Sequence, residues 1–161
     1  MIYRVLRTVL KQKKDPGLYE YLDHHMHLSN NLYNATLFRI RQNFTSRKKE
    51  HPTENELEVQ REIEETLELC PPLKRPKSVL SYKFLERMMR VMDNPDFFAG
   101  LPSQTAEECQ KAAVHDFRSW LASLRKYKKH PEKYLGKPRM PHYKKQDLVT
   151  VIITNQDADL Y

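Results

Sequence analysis

The chain has 161 residues, and its 28 Lys and Arg against 21 Asp and Glu give a formal net charge of +7 at pH 7. No run approaches the roughly 18 apolar residues of a membrane-spanning helix, and the amino terminus lacks the apolar core of a signal peptide. The two cysteines, Cys70 and Cys109, have no CxxC spacing, which excludes a disulfide framework and a zinc ribbon of the usual kind. We therefore expect a cytoplasmic protein with polyanionic partners and no membrane contact.

The chain begins with a predicted strand followed by a long predicted helix. Residues 2–10 (IYRVLRTVL) are short, β-branched and apolar on both sides, which is typical of a strand covered on both faces. Asp15 is a candidate N-cap with Pro16 at the first helical position, and a helix is predicted from about Leu18 to Phe44. Its predicted apolar face contains Leu18, Leu22, His25, Leu28, Leu32 and Ile40.

Three histidines within this helix suggest a metal site at first sight. Of His24, His25 and His27, only His24 and His27 have a spacing that places both on one helical face, and Asp23 is the single acidic neighbour. We therefore predict no metal site and no cofactor in this chain.

Two further helices follow, separated by a proline-broken basic connection. A capping box, Thr53-x-x-Glu56, predicts the start of an acidic helix that ends at Cys70-Pro71-Pro72; residues 50–68 contain eight Glu and one Arg. The residues predicted to be buried in it are Leu57, Ile63 and Leu67 or their near neighbours. The next helix is predicted to begin near Ser81, and its apolar stripe consists of Phe84, Leu85, Met88, Met89 and Met92.

A fourth amphipathic helix is predicted from residue 102 to Pro131. Its apolar residues recur every three or four positions and are Ala106, Cys109, Ala113, Phe117, Trp120, Leu124 and Tyr127. Pro102, then Ser103, and a Thr105-x-x-Glu108 capping box predict that Ser103, Gln104 and Thr105 lie at the exposed start of the helix.

The end of this helix continues into a strongly basic segment. Residues 125–145 contain nine Lys and Arg and a single acid, Glu132. The nine cations are Arg125, Lys126, Lys128, Lys129, Lys133, Lys137, Arg139, Lys144 and Lys145. Tyr127, Tyr134 and Tyr143 are interleaved with them, and Gly136, Pro138 and Pro141 keep the backbone extended. This pattern predicts cations on a phosphate backbone beside tyrosines that stack on bases or sugars.

Residues 148–154 (LVTVIIT) predict a last strand. A strand without a partner leaves its backbone N–H and C=O groups unpaired. We therefore expect the first and last strands to share one sheet, with the helices inserted between them. The predicted fold is mainly α with a small β part. Either the two strands pair on the bundle as a minimal ribbon, or later strands complete a barrel. The predicted parts are a first strand at 1–14, a helical domain at 15–130, a basic connector at 131–147 and a returning strand at 148–161.

Three passages carry a resemblance that covers nearly the whole chain. They are the opening strand and long first helix with its LYNATL (32–37), the helix and basic passage at 101–145, whose specific part ends in GKPRMPHYKK, and the return strand ending in Thr154-Asn155. Together they resemble the amino-terminal region of TnpB, the OrfB-type transposon-encoded RNA-guided DNA endonuclease, which is also similar to the miniature type V CRISPR effectors.

The resemblance implies a wedge-type β-barrel, incomplete here, that is interrupted by a bundle of about four helices forming a recognition domain. In that family this region holds the guide RNA and its heteroduplex with target DNA, and contacts a short motif flanking the target. Tyr82, Gln104 and Thr154 fall where the family places contacts to that motif, with Asn155 adjacent. Gln can pair with adenine, and Thr can contact thymine.

The chain departs from the family in lacking a nuclease half. Separated RuvC carboxylates and zinc-ribbon cysteine pairs are absent, and Asp157 with Asp159 forms a lone pair in a predicted turn. We therefore expect a chain that is not an enzyme by itself, with Mg²⁺ and Zn²⁺ expected only in the missing carboxy-terminal half. The expected partners are guide RNA, target DNA and a nuclease half on the same or another chain, in a prokaryotic cytoplasm and at the nucleoid when bound to DNA.

Two alternatives remain open from the residues. One is an autonomous helical DNA-binding regulator or RNA-binding protein that uses the same basic patch. The other is a structural helical module whose acidic helix docks a protein partner. The first is distinguished by preference for duplex DNA, the second by binding that does not depend on salt.

Overall fold

The structure, a computed structural model, describes residues 8–71, 73–76, 79–145 and 150–154. Within these ranges the chain forms four helices and a short 3₁₀ turn: α1 (Pro16–Ser46), α2 (Glu54–Leu69), α3 (Tyr82–Val91), α4 (Ser103–Lys129) and the turn at Pro131–Lys133. No described residue is in a strand. The prediction of a mainly helical fold with about four helices is confirmed.

Local sequence signals set the starts of the first three helices. Helix α1 begins at Pro16 directly after Asp15, as predicted, because proline needs no hydrogen-bond partner at that position, but the Asp15 side chain makes no capping hydrogen bond. Helix α2 begins after Thr53, and both hydrogen bonds of the predicted capping box with Glu56 are present. Helix α3 begins after Ser81, whose hydroxyl accepts a hydrogen bond from the Phe84 amide at 3.3 Å.

The predicted start of α4 needs a correction. The helix begins at Ser103 with Pro102 at the N-cap position, and no side chain caps it. Thr105 therefore lies inside the first turn, where it is buried, and the predicted Thr105–Glu108 capping box is wrong. Ser103 is exposed and Gln104 is half-buried, so these two residues do border the start of the helix as expected.

The helices pack as a closed ring around a main hydrophobic cluster and a smaller one formed by Leu32, Met89 and Ala106. Helix α1 packs against α2 and α4, and α3 packs against the same two helices. Contacts of Ser29 with Cys109 and of Phe44 with Trp120 show that α1 and α4 run parallel. The core residues include Leu37, Ile40, Val59, Ile63, Leu80, Leu85, Met88 and Phe117. Met88 and Met89 are fully buried, as predicted for core methionines.

The buried faces of α1 and α2 differ from the predicted ones. Leu57 is 48% exposed and Leu18 is 49% exposed, so their predicted core positions are wrong. Helix α2 instead turns Glu56, Val59, Ile63 and Thr66 inward, at the i, i+3, i+7 and i+10 positions of one face. A glutamate on that face was not expected to be buried.

Two charged contacts join α1 to α2. The Arg39 guanidinium donates to both carboxylate oxygens of Glu62, at 2.8 and 2.7 Å. The buried Glu56 carboxylate accepts from Lys49 at 2.8 Å and from the Thr45 hydroxyl at 2.6 Å. Hydrogen bonds from Lys49, Thr45 and the Thr53 amide lower the pKa of Glu56 to about 2.

The two predicted strands are described only in part. Residues 8–10 and 150–154 are not in strands, and residues 2–7 and 148–149 lie outside the described residues. Leu10 and Val151 nevertheless line one apolar cavity of about 250 Å³ together with Tyr19, Leu22 and Met26 of α1. The segments on either side of the helices thus approach each other beside the start of α1. Among the helices of the described ranges, none combines the length and apolar character needed to cross a membrane.

Candidate nucleic-acid interface

The basic connector folds back along α1 after the end of α4. The Asn34 side chain makes two hydrogen bonds to the backbone of Lys144: its amide nitrogen donates to the carbonyl oxygen, and its amide oxygen accepts from the backbone N–H, both at 2.8 Å. One turn earlier, Asn30 donates to the carbonyl oxygen of Lys145. Two asparagine side chains of α1 therefore form the hydrogen bonds to the connector backbone that a neighbouring strand would form in a sheet.

Two further contacts hold the middle of the connector. Arg41 of α1 donates to the Pro141 carbonyl oxygen at 3.3 Å, and its guanidinium lies 4.7 Å from the centre of the Tyr143 ring. The Trp120 indole nitrogen of α4 donates to the Pro138 carbonyl oxygen at 3.1 Å. The predicted extended conformation of this segment is thus stabilised by α1 on one side and α4 on the other.

Eight of the nine predicted phosphate-binding cations are exposed: Arg125, Lys126, Lys128, Lys129, Lys133, Lys137, Arg139 and Lys145. None of these eight forms an ion pair with another residue in the described part of the chain. Lys144 differs, because it is half-buried with its ammonium 3.8 Å from the centre of the Tyr33 ring. The connector therefore presents a dense positive surface whose backbone is held in place.

The three predicted stacking tyrosines have different surroundings. Tyr127 and Tyr134 contact each other edge to face, with ring centres 5.7 Å apart, and both are half-buried. Tyr143 is 42% exposed and has one face covered by Arg41. Tyr143 is the most exposed of the three and is therefore the best placed to contact a base or sugar.

Tyr82 and Gln104, two of the residues singled out by the resemblance, line a common groove between α3 and α4. The groove has a volume of about 540 Å³, and Lys83, Arg87 and Phe98 also line it. Tyr82 lies beneath the Lys111 ammonium, 5.1 Å from the ring centre.

Thr154 does not line that groove. It is half-buried, and its hydroxyl oxygen is buried without a hydrogen-bond partner among the described residues. Asn155 lies outside the described residues. The neighbouring residues 150–152 lie beside Ser29, Thr105 and Cys109, at the end of the bundle where α4 begins.

His25, His27 and Cys109 each contact another residue within the helices. His25 is buried with Nδ1 2.8 Å from the Tyr21 carbonyl oxygen, and His27 lies 3.6 Å from Asp23. Within the described ranges, no three His, Cys, Asp or Glu residues cluster as metal ligands would. The Cys109 thiol donates to the Ser29 carbonyl oxygen at 2.8 Å, and burial raises the pKa of this thiol to about 11.

Sequence reasoning missed the residues that hold the connector. Asn30 and Asn34 lie four positions apart in the middle of a helix, where asparagine is disfavoured because its side chain competes for backbone hydrogen bonds. That spacing is a signal that could have identified them as ligands of another backbone segment. Lys83, Arg87 and Phe98 had no comparable signal, because the groove forms only when α3 and α4 pack.

No protein-family model, curated protein or solved structure matches the chain.

Proposed function

We propose that this chain is the nucleic-acid-binding portion of a TnpB-like, OrfB-type RNA-guided DNA endonuclease. In this proposal it holds guide RNA and the RNA–DNA heteroduplex, contacts the motif flanking the target, and does not cut by itself. The observation that carries the proposal is the docked basic connector, with eight exposed cations that have no ion pair among the described residues. Cations on a preorganised backbone lose little freedom when they bind phosphates.

The proposed wedge barrel is supported by the positions of the two segments that flank the helices. The connector brings the chain back from the end of α4 toward the start of α1, and Leu10 and Val151 line one cavity there. A helical domain inserted between two strands of one sheet requires its flanking segments to lie together. Residues 8–10 and 150–154 are not in strands here, and we propose that residues 2–10 and 148–154 pair in such a sheet only when further strands complete it.

The proposed contact to the flanking motif is supported by the groove that Tyr82 and Gln104 share. The Gln104 amide can make paired hydrogen bonds with adenine, and Tyr82 can contact a phosphate or a sugar. Thr154 and Asn155 are proposed to contact the same motif. Mg²⁺ and Zn²⁺ belong, in this proposal, to a nuclease half on the same or another chain.

A salt-series binding experiment tests the proposal. The chain is titrated with structured RNA, an RNA–DNA hybrid and duplex DNA, and the titrations are repeated with Lys126, Lys128 and Lys129 changed to alanine. We expect tighter binding to RNA or hybrid, and a plot of log affinity against log salt whose slope is shallower by about 2–3 in the variant, because three phosphate contacts are lost.

A matched control replaces Lys11, Lys13 and Lys14, three exposed lysines that precede α1 at the other end of the bundle. This control removes the same charge and should leave the slope closer to that of the parent chain. Tightest binding to duplex DNA alone would favour the autonomous regulator. Equal effects of the two triple variants would show that total charge, rather than the connector, determines binding.

A further inference from the structure

A straight row of cations runs along the outer face of α4. Residues seven and eleven positions apart in an α-helix differ by only about 20° around its axis, so Arg118, Arg125 and Lys129 share one face. All three are exposed, and the exposed Ala122 lies on the same face between the first two. At about 1.5 Å of rise per residue, the row is about 16 Å long. Arg125 and Lys129 belong to the cations already assigned to phosphates, whereas Arg118 has no assigned role.

The row points away from the packed faces of α4. Phe117 is fully buried in the core and lies about 100° from Arg118 around the helix axis. The side that contacts α1 is almost opposite the row, because Asp116 accepts a hydrogen bond from Tyr33 there at 2.7 Å. The exposed row therefore faces solvent.

The positive charge of this row is not neutralised. Within the described ranges none of its three cations forms an ion pair, and the residues three and four positions from Arg118 are not acidic. Glu107 and Glu108 lie nearer the start of the helix, and both contact Lys111, at 3.1 and 2.9 Å. Positive charge therefore dominates the second half of α4 and not its start.

We propose that the outer face of α4 from Arg118 to Lys129 is a second phosphate-binding surface, along which the backbone of one nucleic-acid strand lies. In a duplex, each strand carries one phosphate per about 3.4 Å of axis, so the row spans about five phosphates. Ser119 and Ala122 are small and exposed, so the backbone can approach the helix between the cations. The rigid helix fixes the spacing of the cations before binding, which lowers the cost of ordering them.

This surface and the connector begin at the same end of α4 and then diverge. The connector returns on the side of Trp120, whose indole nitrogen donates to the Pro138 carbonyl oxygen at 3.1 Å and which lies about 160° from Arg118 around the axis. Gln104 differs from Arg118 by only about 40°, so a strand that follows the row leads toward the groove that Gln104 lines. The inference rests on the proposed function for the identity of the strand, because RNA and DNA share the phosphate backbone.

Two substitutions test the row in opposite directions, with binding of the full chain to a labelled RNA–DNA hybrid followed by fluorescence anisotropy over a salt series. Arg118→Ala is expected to make the slope of log affinity against log salt shallower by about 0.9, and to weaken binding at about 0.1 M salt by about 5–10-fold. Ala122→Arg adds a cation to the same face and is expected to steepen the slope by a similar amount. Arginine is a good helix former and position 122 is exposed, so this variant keeps the fold.

Matched controls make the same charge changes on other helices. Arg61→Ala removes an exposed cation from α2, and Asn31→Arg adds one at an exposed position of α1. Both should leave the slope closer to that of the parent chain. A slope unchanged in Arg118→Ala, or changed equally by Arg61→Ala, would overturn the inference, and so would equal effects of Ala122→Arg and Asn31→Arg.

Repeating the series with structured RNA alone and with duplex DNA identifies the strand. An effect of Arg118→Ala on structured RNA alone assigns the row to the guide RNA, and an effect on the hybrid alone assigns it to the target DNA strand. Tightest binding to duplex DNA, with Arg118→Ala still effective, would overturn the proposed function and leave the phosphate-binding surface in place. An effective lysine triple in the connector with ineffective row variants would overturn this inference alone, and no binding to any of the three nucleic acids would overturn both.

Discussion

Replacing Asn34 by alanine should release the end of the basic connector without changing any charge. The variant loses two hydrogen bonds between Asn34 and the backbone of Lys144, each 2.8 Å long. At a net contribution of about 0.5–1.5 kcal/mol per hydrogen bond, docking loses about 1–3 kcal/mol. The equilibrium constant for undocking of the connector end therefore increases about 5- to 150-fold.

Amide hydrogen exchange at Lys144 measures this opening directly, because the Lys144 N–H is itself the donor to Asn34. Global stability should change less, since alanine is a better helix former than asparagine. Asn31→Ala is the matched control, because Asn31 is an exposed neighbour on the same helix. Unchanged exchange at Lys144 in the Asn34 variant would refute the reasoning that the asparagine holds the connector.

The remaining predictions concern stability. Glu62→Ala leaves the buried Arg39 guanidinium without its carboxylate and should lower the free energy of unfolding, measured by urea denaturation, by about 3–5 kcal/mol. The double variant Arg39→Met with Glu62→Leu should be close to neutral. A loss below about 1 kcal/mol in Glu62→Ala would contradict this. The pKa of Glu56 is about 2 when folded against an ordinary 4.5, so its stabilising contribution is fully present above pH 4.5 and is lost as the pH falls toward 2. The difference in Tm between the parent chain and Glu56→Gln should shrink as the pH falls from 4.5 toward 2, and a constant difference would argue against this contribution of Glu56. Gly100 has φ +98° and open space where a Cβ would lie, so Gly100→Ala should lower the free energy of unfolding by about 1–2 kcal/mol through backbone strain alone. A urea midpoint unchanged from that of the parent chain would disprove this.

The parts of the fold that could be predicted depend on contacts between residues close in sequence. Pro16 suits the first turn of α1 because it has no N–H that needs a partner, and the Thr53–Glu56 capping box and Ser81 form hydrogen bonds with the first turns of α2 and α3. Each of these effects depends only on neighbouring residues and can be predicted from the sequence. The start of α4 was misjudged because a second threonine and glutamate three residues apart, beginning at Thr105, also fit the box pattern. Packing of that turn against the rest of the bundle buries the threonine instead.

The parts that could not be predicted depend on partners distant in sequence. Glu56 belongs to a run of glutamates that is typical of a solvated face, and only the hydrogen bonds from Thr45 of α1 and from Lys49 in the loop after α1 make its burial favourable. The connector was predicted as extended and basic, but its docking on α1 depends on Asn34, which lies 110 residues earlier in the chain. For the same reason, the sequence predicts that the individual cations are exposed, but it does not predict how docking of the connector arranges them on one surface.

The single tryptophan of the chain lies where the connector meets the bundle. Its indole nitrogen donates to Pro138, and its ring packs edge to face against Phe44 and Phe117. The intrinsic fluorescence of Trp120 therefore reports whether the connector is docked, because undocking exposes the indole to water and shifts its emission to the red. The protein thus carries its own optical probe for this segment, and stopped-flow mixing with a ligand can time the connector's movement without a label.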